Sequence, residues 1–545
     1  MNGAASPRAL PYGIGLAVGV LAALSVVPGA TLGGAGGLFA HPDGDLVTNL
    51  IGHLAFQAPG WYWPLLRAPA LAWPHGEVVA FSDSNPALSL LAKIVASVRG
   101  APTNWFGVWL WFCIAAQPVA AVFALRGLRP AGAPVGSADL VAALAASVIS
   151  LSMPAWLYRV GHINLFAHFL LLVALGFAAR WCRDGKVADA PKSIALLTIA
   201  VLVHPYLFMF CAVCLAAPLL NPGIEPPRRR AGLITWSVSA EVAAGIFLLL
   251  SGTGGGNGPG YGLYSLNLLG PFWPQRSGLF GGHLAILDAT GYQYEGFNYL
   301  GAGAILLIAA AGFAVWRMIP AERAAGIARY RGLLLAMAAL TLLAATPRLT
   351  IGQLVLVPVN LHFLDRLLGI VRASGRAFWI VEYALALGSV AVLAARMRPV
   401  WFAAMMAVVV VLQWVDAGPL RRHAEHYLAG VGETDRSIPL PADTVLYRTV
   451  PSCGLYGVRA DEWRLQALRA GARLADARLA HEPTDAVCAA RLAFGLSEKL
   501  QPGESRLFLP EVAGQVRASA LGAACGETEA GLLCHRGVER QGSAP

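Results

Sequence analysis

Apolar residues along this chain fall in long, nearly uncharged blocks separated by short polar gaps, with Leu300–Trp316 and Val400–Val415 as clear cases. Blocks approaching ~20 residues match what a helix needs to cross a hydrocarbon layer ~30 Å thick. Within lipid only a helix satisfies all its own backbone groups, so the blocks predict helices. In order they predict about eleven spans, near 12–32, 104–126, 137–153, 163–181, 193–204, 206–221, 232–251, 299–317, 332–346, 376–395 and 399–415. Ser193–Leu220 fits either one long helix or a hairpin broken at His204-Pro205, because proline and the residue before it resist helix continuation. The first block follows Arg8 and lacks a small-residue cleavage site, so it reads as a retained helix rather than a signal peptide.

Charge gives these helices a direction. Only 13% of residues are charged, against a mean hydropathy of +0.60, and the formal net charge is +10. The basic residues form no single patch or arm of the kind nucleic acid requires, which excludes nucleic acid as a partner. They punctuate the gaps instead: Arg126 and Arg129; Arg180, Arg183, Lys186 and Lys192; Arg228–Arg230; Arg317, Arg323, Arg329 and Arg331; Arg396 and Arg398. Positive residues stay on the cytoplasmic side, and both ends of Ser193–Leu220 then favour the hairpin. The odd number of spans puts the chain from Asp416 onward outside. In a bacterium this predicts a multi-pass protein of the inner (cytoplasmic) membrane with its C-terminal region in the periplasm.

Three long loops, 33–103, 251–298 and 347–375, are expected on that same outer side. The first carries Pro59-Gly60-Trp61-Tyr62-Trp63-Pro64, suited to a headgroup boundary, and then Pro86–Val98, an interfacial helix with Leu88, Leu91, Ile94 and Val95 on one face. The second opens with Gly252-Thr253-Gly254-Gly255-Gly256-Asn257-Gly258-Pro259-Gly260, a hinge or mobile lid that lacks the Lys-Ser/Thr end of a phosphate-binding loop. Residues 418–545 are more polar, with short strands at Thr444–Arg448 and Arg506–Leu509 and a helix-like stretch Asp461–Leu479. They read as a soluble α+β domain following a membrane domain, residues 1–417. Cys453, Cys488, Cys525 and Cys534 are disulfide candidates on an oxidising side, the pair Cys525 and Cys534 flanking a glycine turn; buried free thiols are the alternative.

The polar residues at the outer helix ends carry the candidate chemistry. Asp43 and Asp45 sit just outside the first span, where either serves as a base, a metal ligand or a helix cap. Asp83 or Ser84 is a candidate cap for Pro86–Val98. Arg159, His162 and His168 lead into the fourth span; the six-residue spacing of the two histidines does not put them on one helix face, so no metal site is assigned to them. His204 marks the hairpin tip, and Glu295 lies among aromatics fit for a sugar ring or a plain interfacial belt. Arg372 and Arg376 run against the positive-inside tendency; a guanidinium fork suits phosphate, and snorkelling to the boundary is the alternative.

Six segments go further: Gly44-Asp45; Phe81-Ser82-Asp83-Ser84-x-Pro86; Gly161-His162-x-x-Leu165-x-x-His168; His204-Pro205-Tyr206-Leu207; Tyr294-Glu295-Gly296-Phe297-x-Tyr299-Leu300-Gly301; and Arg372-Ala373-Ser374-Gly375-Arg376-x-Phe378-Trp379. Together they resemble the recurring segments of an uncharacterised bacterial family of GT-C-like membrane proteins. The GT-C superfamily comprises membrane glycosyltransferases that use polyprenyl-phosphate-linked sugars. The resemblance implies a polytopic α-helical GT-C-like fold and transfer of a sugar to a glycan or lipid acceptor. It puts the catalytic carboxylate on Asp45, with Asp43 second, and allows a divalent Mg or Mn ion. Arg372 and Arg376 would hold the donor phosphate, and Asp83, Arg159, His162, His168, His204 and Glu295 would line the substrate pocket. A transporter or flippase of a lipid-linked or polar substrate, and a non-catalytic subunit of an envelope-assembly complex, are the rival readings.

Overall fold

The computed structural model describes residues 8–42, 44–130, 135–252, 261–281, 284–358, 372–431, 437–479, 484–516 and 521–538. The chain is mostly helical. Among the described residues five helices are long and apolar enough to cross a membrane: Phe106–Leu128, Pro226–Ser251, Pro320–Ala345, Ser374–Arg396 and Pro399–Asp416. Shorter apolar helices run Leu10–Val26, Ser137–Leu151, Ala190–Val203, Pro205–Leu220 and Ala302–Trp316. Phe106–Leu128 is central and packs against Leu10–Val26, Ser137–Leu151 and Phe169–Asp184. A Cβ at Gly19 would collide with the Ala115 carbonyl, so a glycine there lets the two backbones close up as membrane helices do. Leu21, Leu24, Leu249, Phe313 and Val411 point outward and are exposed, an apolar outer surface of the kind lipid covers.

The hairpin at His204 is a break between two helices. His204 is extended (φ −164°, ψ 134°), Pro205 opens the next helix, and Ala190–Val203 packs back against Pro205–Ala216. The span expected from 332 follows a kink at Tyr330 (φ −108°, ψ 15°), before which a more polar helical stretch opens with Pro320 at its first turn. One expectation needs correction. In Pro86–Arg99 the expected apolar face is divided. Leu88 is buried, Leu91, Ile94 and Val98 are exposed, and the inward face is Ser89, Ala92, Lys93 and Ala96. The buried Lys93 donates to the carbonyls of Phe56 (2.8 Å) and Ala58 (3.3 Å), which is why a cation is tolerated there.

Beyond Gly418–Ala429 a five-stranded mixed sheet forms, in the order Arg473–Leu474, Leu446–Val450, Glu504–Phe508, Gly531–His535, Ala524–Thr528. The first three strands are parallel, and the last two are antiparallel additions. The helix expected over Asp461–Leu479 spans Gly454–Arg469; Gly471 (φ 91°) ends it and turns the chain into the strand at Arg473. Disulfides join Cys453 to Cys488 and Cys525 to Cys534.

This region is docked on the first long loop. Leu474 N–H donates to Ala70 O, and Trp73 N–H donates to Leu474 O, both at 2.8 Å. The Arg473 guanidinium lies 4.1 Å over the Trp73 ring, and Arg469 donates to the carbonyls of Phe39 and Ala40. The second long loop is tied down by buried Asp416, which accepts from Tyr299 OH and Ala302 N–H, both at 2.7 Å, and from Ser277. The glycine run expected to act as a hinge or lid lies, beyond Gly252, outside the described residues.

Candidate functional site

The helix Gly44–Phe56 starts where Gly44 adopts a positive φ (54°), and Asp45 occupies its first turn. A carboxylate there benefits from the unpaired N–H groups of the helix start. Its two oxygens face two nitrogen-bearing partners: Oδ2 is 3.0 Å from His162 Nε2, and Oδ1 is 2.6 Å from Arg478 Nη2. The hydrogen bond with His162, joined by the charges of His162 and Arg478 and opposed by burial, lowers the Asp45 pKa to about 2.

The same His162 nitrogen is 3.9 Å from Glu295 Oε1. Glu295 Oε2 accepts from Arg159 Nη1 and from Arg376 Nη2, both at 2.7 Å, and Arg159 Nη2 also donates to the Glu295 carbonyl (2.8 Å). Burial works against ionisation of Glu295, but the two guanidinium charges outweigh it and hold the carboxyl far below its usual range. Two glycines make this possible. A Cβ on Gly375 would lie 2.8 Å from both Gly296 Cα and Tyr264 O, so only glycine lets the segment bearing Arg376 approach the one bearing Glu295. Asn298 then bridges them, donating to the carbonyls of Gly296 (2.7 Å) and Gly375 (3.0 Å). The guanidiniums stack on aromatic faces, Arg159 over Tyr158 and Trp379 and Arg376 over Tyr206.

Asp83 closes the cluster. Neither it nor Ser84 caps Pro86–Arg99; Asn85 does, accepting from Leu88 N–H. Asp83 is instead held in the left-handed region (φ 55°), a strained state for a residue with a side chain. Asn49 and Asn164 each donate to its carbonyl at 2.8 Å and fix that state. Its Oδ1 lies 3.6 Å from His204 Nε2. Burial opposes ionisation of Asp83, while the nearby His204 lowers its pKa overall.

Asp45, Asp83, Arg159, His162, His204, Glu295 and Arg376 therefore meet in one ionic cluster fed by several separate segments. His168 lies apart, buried, with Nδ1 3.0 Å from Tyr383 OH and its ring on Trp379. Arg372 is half-buried and has no hydrogen bond or ion pair among the described residues. Asp43 lies outside the described residues. The sequence reading missed Arg478, which carries no motif, and Asn49. Asn164 was visible beside His162, but its role needs the Asp83 backbone conformation to be known. Several buried polar atoms of the cluster lack partners among the described residues: Asn49 Oδ1, Ser84 Oγ, Asn164 Oδ1 and His162 Nδ1. Orphan atoms gathered in one place are what a site for a polar ligand contains. Next to it, a cavity of about 410 Å³ is lined by Tyr158, Arg276, Ile286, Phe297 and Leu420, among others.

Asp45 Oδ1 is engaged by Arg478, and among the described residues no group of three His, Cys, Asp or Glu side chains converges on a common point.

Residues 16–418 match the protein family described as a domain of unknown function, DUF6311, and the chain belongs to that family. No curated protein matches it.

Proposed function

We propose that the chain is an inverting glycosyltransferase of the GT-C type that takes a sugar from a polyprenyl-phosphate donor and passes it to a glycan or lipid acceptor. The observation that supports this is the convergence of Asp45, His162, Glu295, Arg159 and Arg376 in one cluster. In this reading about eleven spans carry the site on the periplasmic face of the inner membrane, and residues 418–545 help to present the acceptor. Asp45 takes the proton of an acceptor hydroxyl, and that oxygen attacks the anomeric carbon of the donor. The bond from that carbon to the phosphate oxygen breaks, and its electron pair leaves with the phosphate, held by Arg372. Glu295 fixes Arg159 and Arg376 as walls of the site, so Arg376 has a different task from the one its proximity to Arg372 suggests.

Purified protein in vesicles, given radiolabelled polyprenyl-phosphate hexoses and pentoses, tests the reading. Asp45→Asn, if still folded, is expected to lose transfer by about 10²-fold or more; full transfer would remove Asp45 as the base. Chelation followed by Mg or Mn addition tests metal dependence in the same assay.

A transporter is favoured by a different observation: Glu382 is buried within Trp379–Arg396, close to a chain in which His168 and Gln117 both meet Tyr383 OH. Ionisable groups inside a bundle mark transport paths. Substrate movement across vesicles lost in Glu382→Gln and kept in Asp45→Asn would select that reading. Transfer and transport both absent from the wild type would leave the non-catalytic subunit.

A further inference from the structure

The carboxylate assigned as the base is not free: a residue 433 positions away in sequence holds it. Arg478 follows the strand Arg473–Leu474, whose backbone is bonded to Ala70 and Trp73. Its placement is fixed from behind by Asp476, which accepts from Arg464 Nε (2.6 Å) and from Thr449 N–H (2.9 Å). The other carboxylate near Arg478 is already provided for. Asp461 accepts from Arg464 Nη1 (2.8 Å) and Thr48 OH (3.1 Å), and lies 3.7 Å from Arg478 Nε. Among the described residues Asp45 is therefore the one carboxylate within hydrogen-bond distance of Arg478, with Asp461 a longer ion pair.

Exposure says that this pairing can be exchanged. The Arg478 side chain is 26% exposed and that of Asp45 40%, whereas the Arg159 side chain clamped on Glu295 is fully buried. An ion pair open to water contributes little, so an anion of comparable charge can take the guanidinium without a large cost. A guanidinium also binds phosphate in the bidentate manner it uses for carboxylate.

We propose that Arg478 is a gate on Asp45: it holds the carboxylate until a phosphate group of the substrate takes over the guanidinium and sets the carboxylate free. The C-terminal region thus supplies a phosphate-binding side chain to the site of the membrane region, and occupancy of that side chain is coupled to exposure of the base. This rests on the assignment of Asp45 and a phosphate-bearing substrate, but not on sugar transfer.

The two variants that break the pair are then expected to act in opposite directions on phosphate binding. The test uses the full chain in phosphatidylcholine nanodiscs, with calorimetric titration of two probes, inorganic pyrophosphate and dodecyl phosphate. Asp45→Asn removes the internal competitor and is expected to tighten binding about two- to five-fold. Arg478→Ala removes the receiving group and is expected to weaken it about ten-fold or more, with Arg478→Lys recovering part of the loss. A response to pyrophosphate assigns the site to free phosphates; a response confined to dodecyl phosphate assigns it to a phosphate carried on an apolar chain. Unchanged affinity for both probes in Asp45→Asn and Arg478→Ala, with only a lowered unfolding temperature, would make Arg478 a structural clamp and overturn the gate. Because neither arm measures transfer, a failed gate and a failed transferase reading give different results.

Discussion

Replacing Glu295 by Gln removes one negative charge and keeps the shape of the side chain. In the wild type that charge lies 2.7 Å from two guanidiniums, of side chains 0% and 12% exposed, and Glu295 itself is 14% exposed. The variant leaves two neighbouring cations facing an amide that can accept from only one side. Breaking a buried pair in this way costs about 3–5 kcal/mol, because the remaining charge stays out of water without compensation. Arg376→Gln in the same background should recover part of that loss by removing one of the stranded cations, which a double-mutant cycle measures as strong coupling. Denaturant unfolding in mixed micelles, followed by tryptophan fluorescence, is suitable because Trp379 lies against both guanidiniums. The pH dependence supplies the sign. The folded pKa of Glu295 lies below the ordinary 4.5, so its contribution is complete above about pH 4.5 and is lost as pH falls through the lower folded value. Glu295→Gln should therefore flatten the acid limb of the stability curve. A loss below about 1 kcal/mol, the worth of a surface pair, or simple additivity with Arg376→Gln, would refute the claim that Glu295 is the hub of the site.

Three further outcomes are expected. Gly375→Ala puts a methyl 2.8 Å from Gly296 Cα and Tyr264 O, and should cost about 1–3 kcal/mol in the same unfolding assay while altering no charge; wild-type stability would show that the two segments are not in contact. Cys453→Ser opens a loop with a sequence separation of 35 and should remove about 3–4 kcal/mol from the C-terminal sheet. Hydrogen exchange should rise in Leu446–Val450 and stay unchanged in Phe106–Leu128; equal changes in both would contradict a separately stabilised sheet. Asp45, lowered from 3.8 to about 2, favours the folded, docked state above about pH 4 and loses that effect as pH falls toward 2. Being 40% exposed, it contributes no more than about 1 kcal/mol. Proteolysis between residues 469 and 478 should therefore rise modestly over that interval, and the same rise in Asp45→Asn would assign it to another group.

The apolar helices were legible because a lipid-facing or bundle-facing helix writes its length directly into an uncharged run. The break at His204-Pro205 was legible too, since proline removes a backbone donor wherever it sits. The polar helical stretch from Pro320 to the kink at Tyr330 was not, because a helical extension outside an apolar block leaves no hydropathy signal. Within the site, Asp45, Asp83, His162, His204, Glu295 and Arg376 stood out as polar residues at helix ends. Their mutual contacts could not be read, because each depends on a backbone detail elsewhere: the positive φ of Asp83, and the approach of Gly375 to Gly296. Asp83 shows the limit well. Its position beside Pro86 suggested a cap, and only the observed hydrogen bond of Asn85 frees it for His204. Arg478 was beyond reach, since nothing local relates it to Asp45.

Exposure separates the tasks of the two central carboxylates. Glu295 is enclosed, and both its guanidinium partners are enclosed with it, so any exchange of partners would strand a buried charge at a cost of several kcal/mol. A group so committed can shape a site but is a poor proton acceptor, because protonation would cancel the charge that holds Arg159 and Arg376. Asp45 has a different setting: its side chain is partly exposed, and so are those of both its partners. Its pKa of about 2 makes it a weak base in this arrangement, and the cause lies in partners that a substrate can draw away. Removing the Arg478 charge takes away one of those lowering influences and leaves His162 to orient the carboxylate. In the proposed reading the chemistry therefore falls to Asp45 and the architecture to Glu295, with Arg478 of the C-terminal region in direct contact with the former.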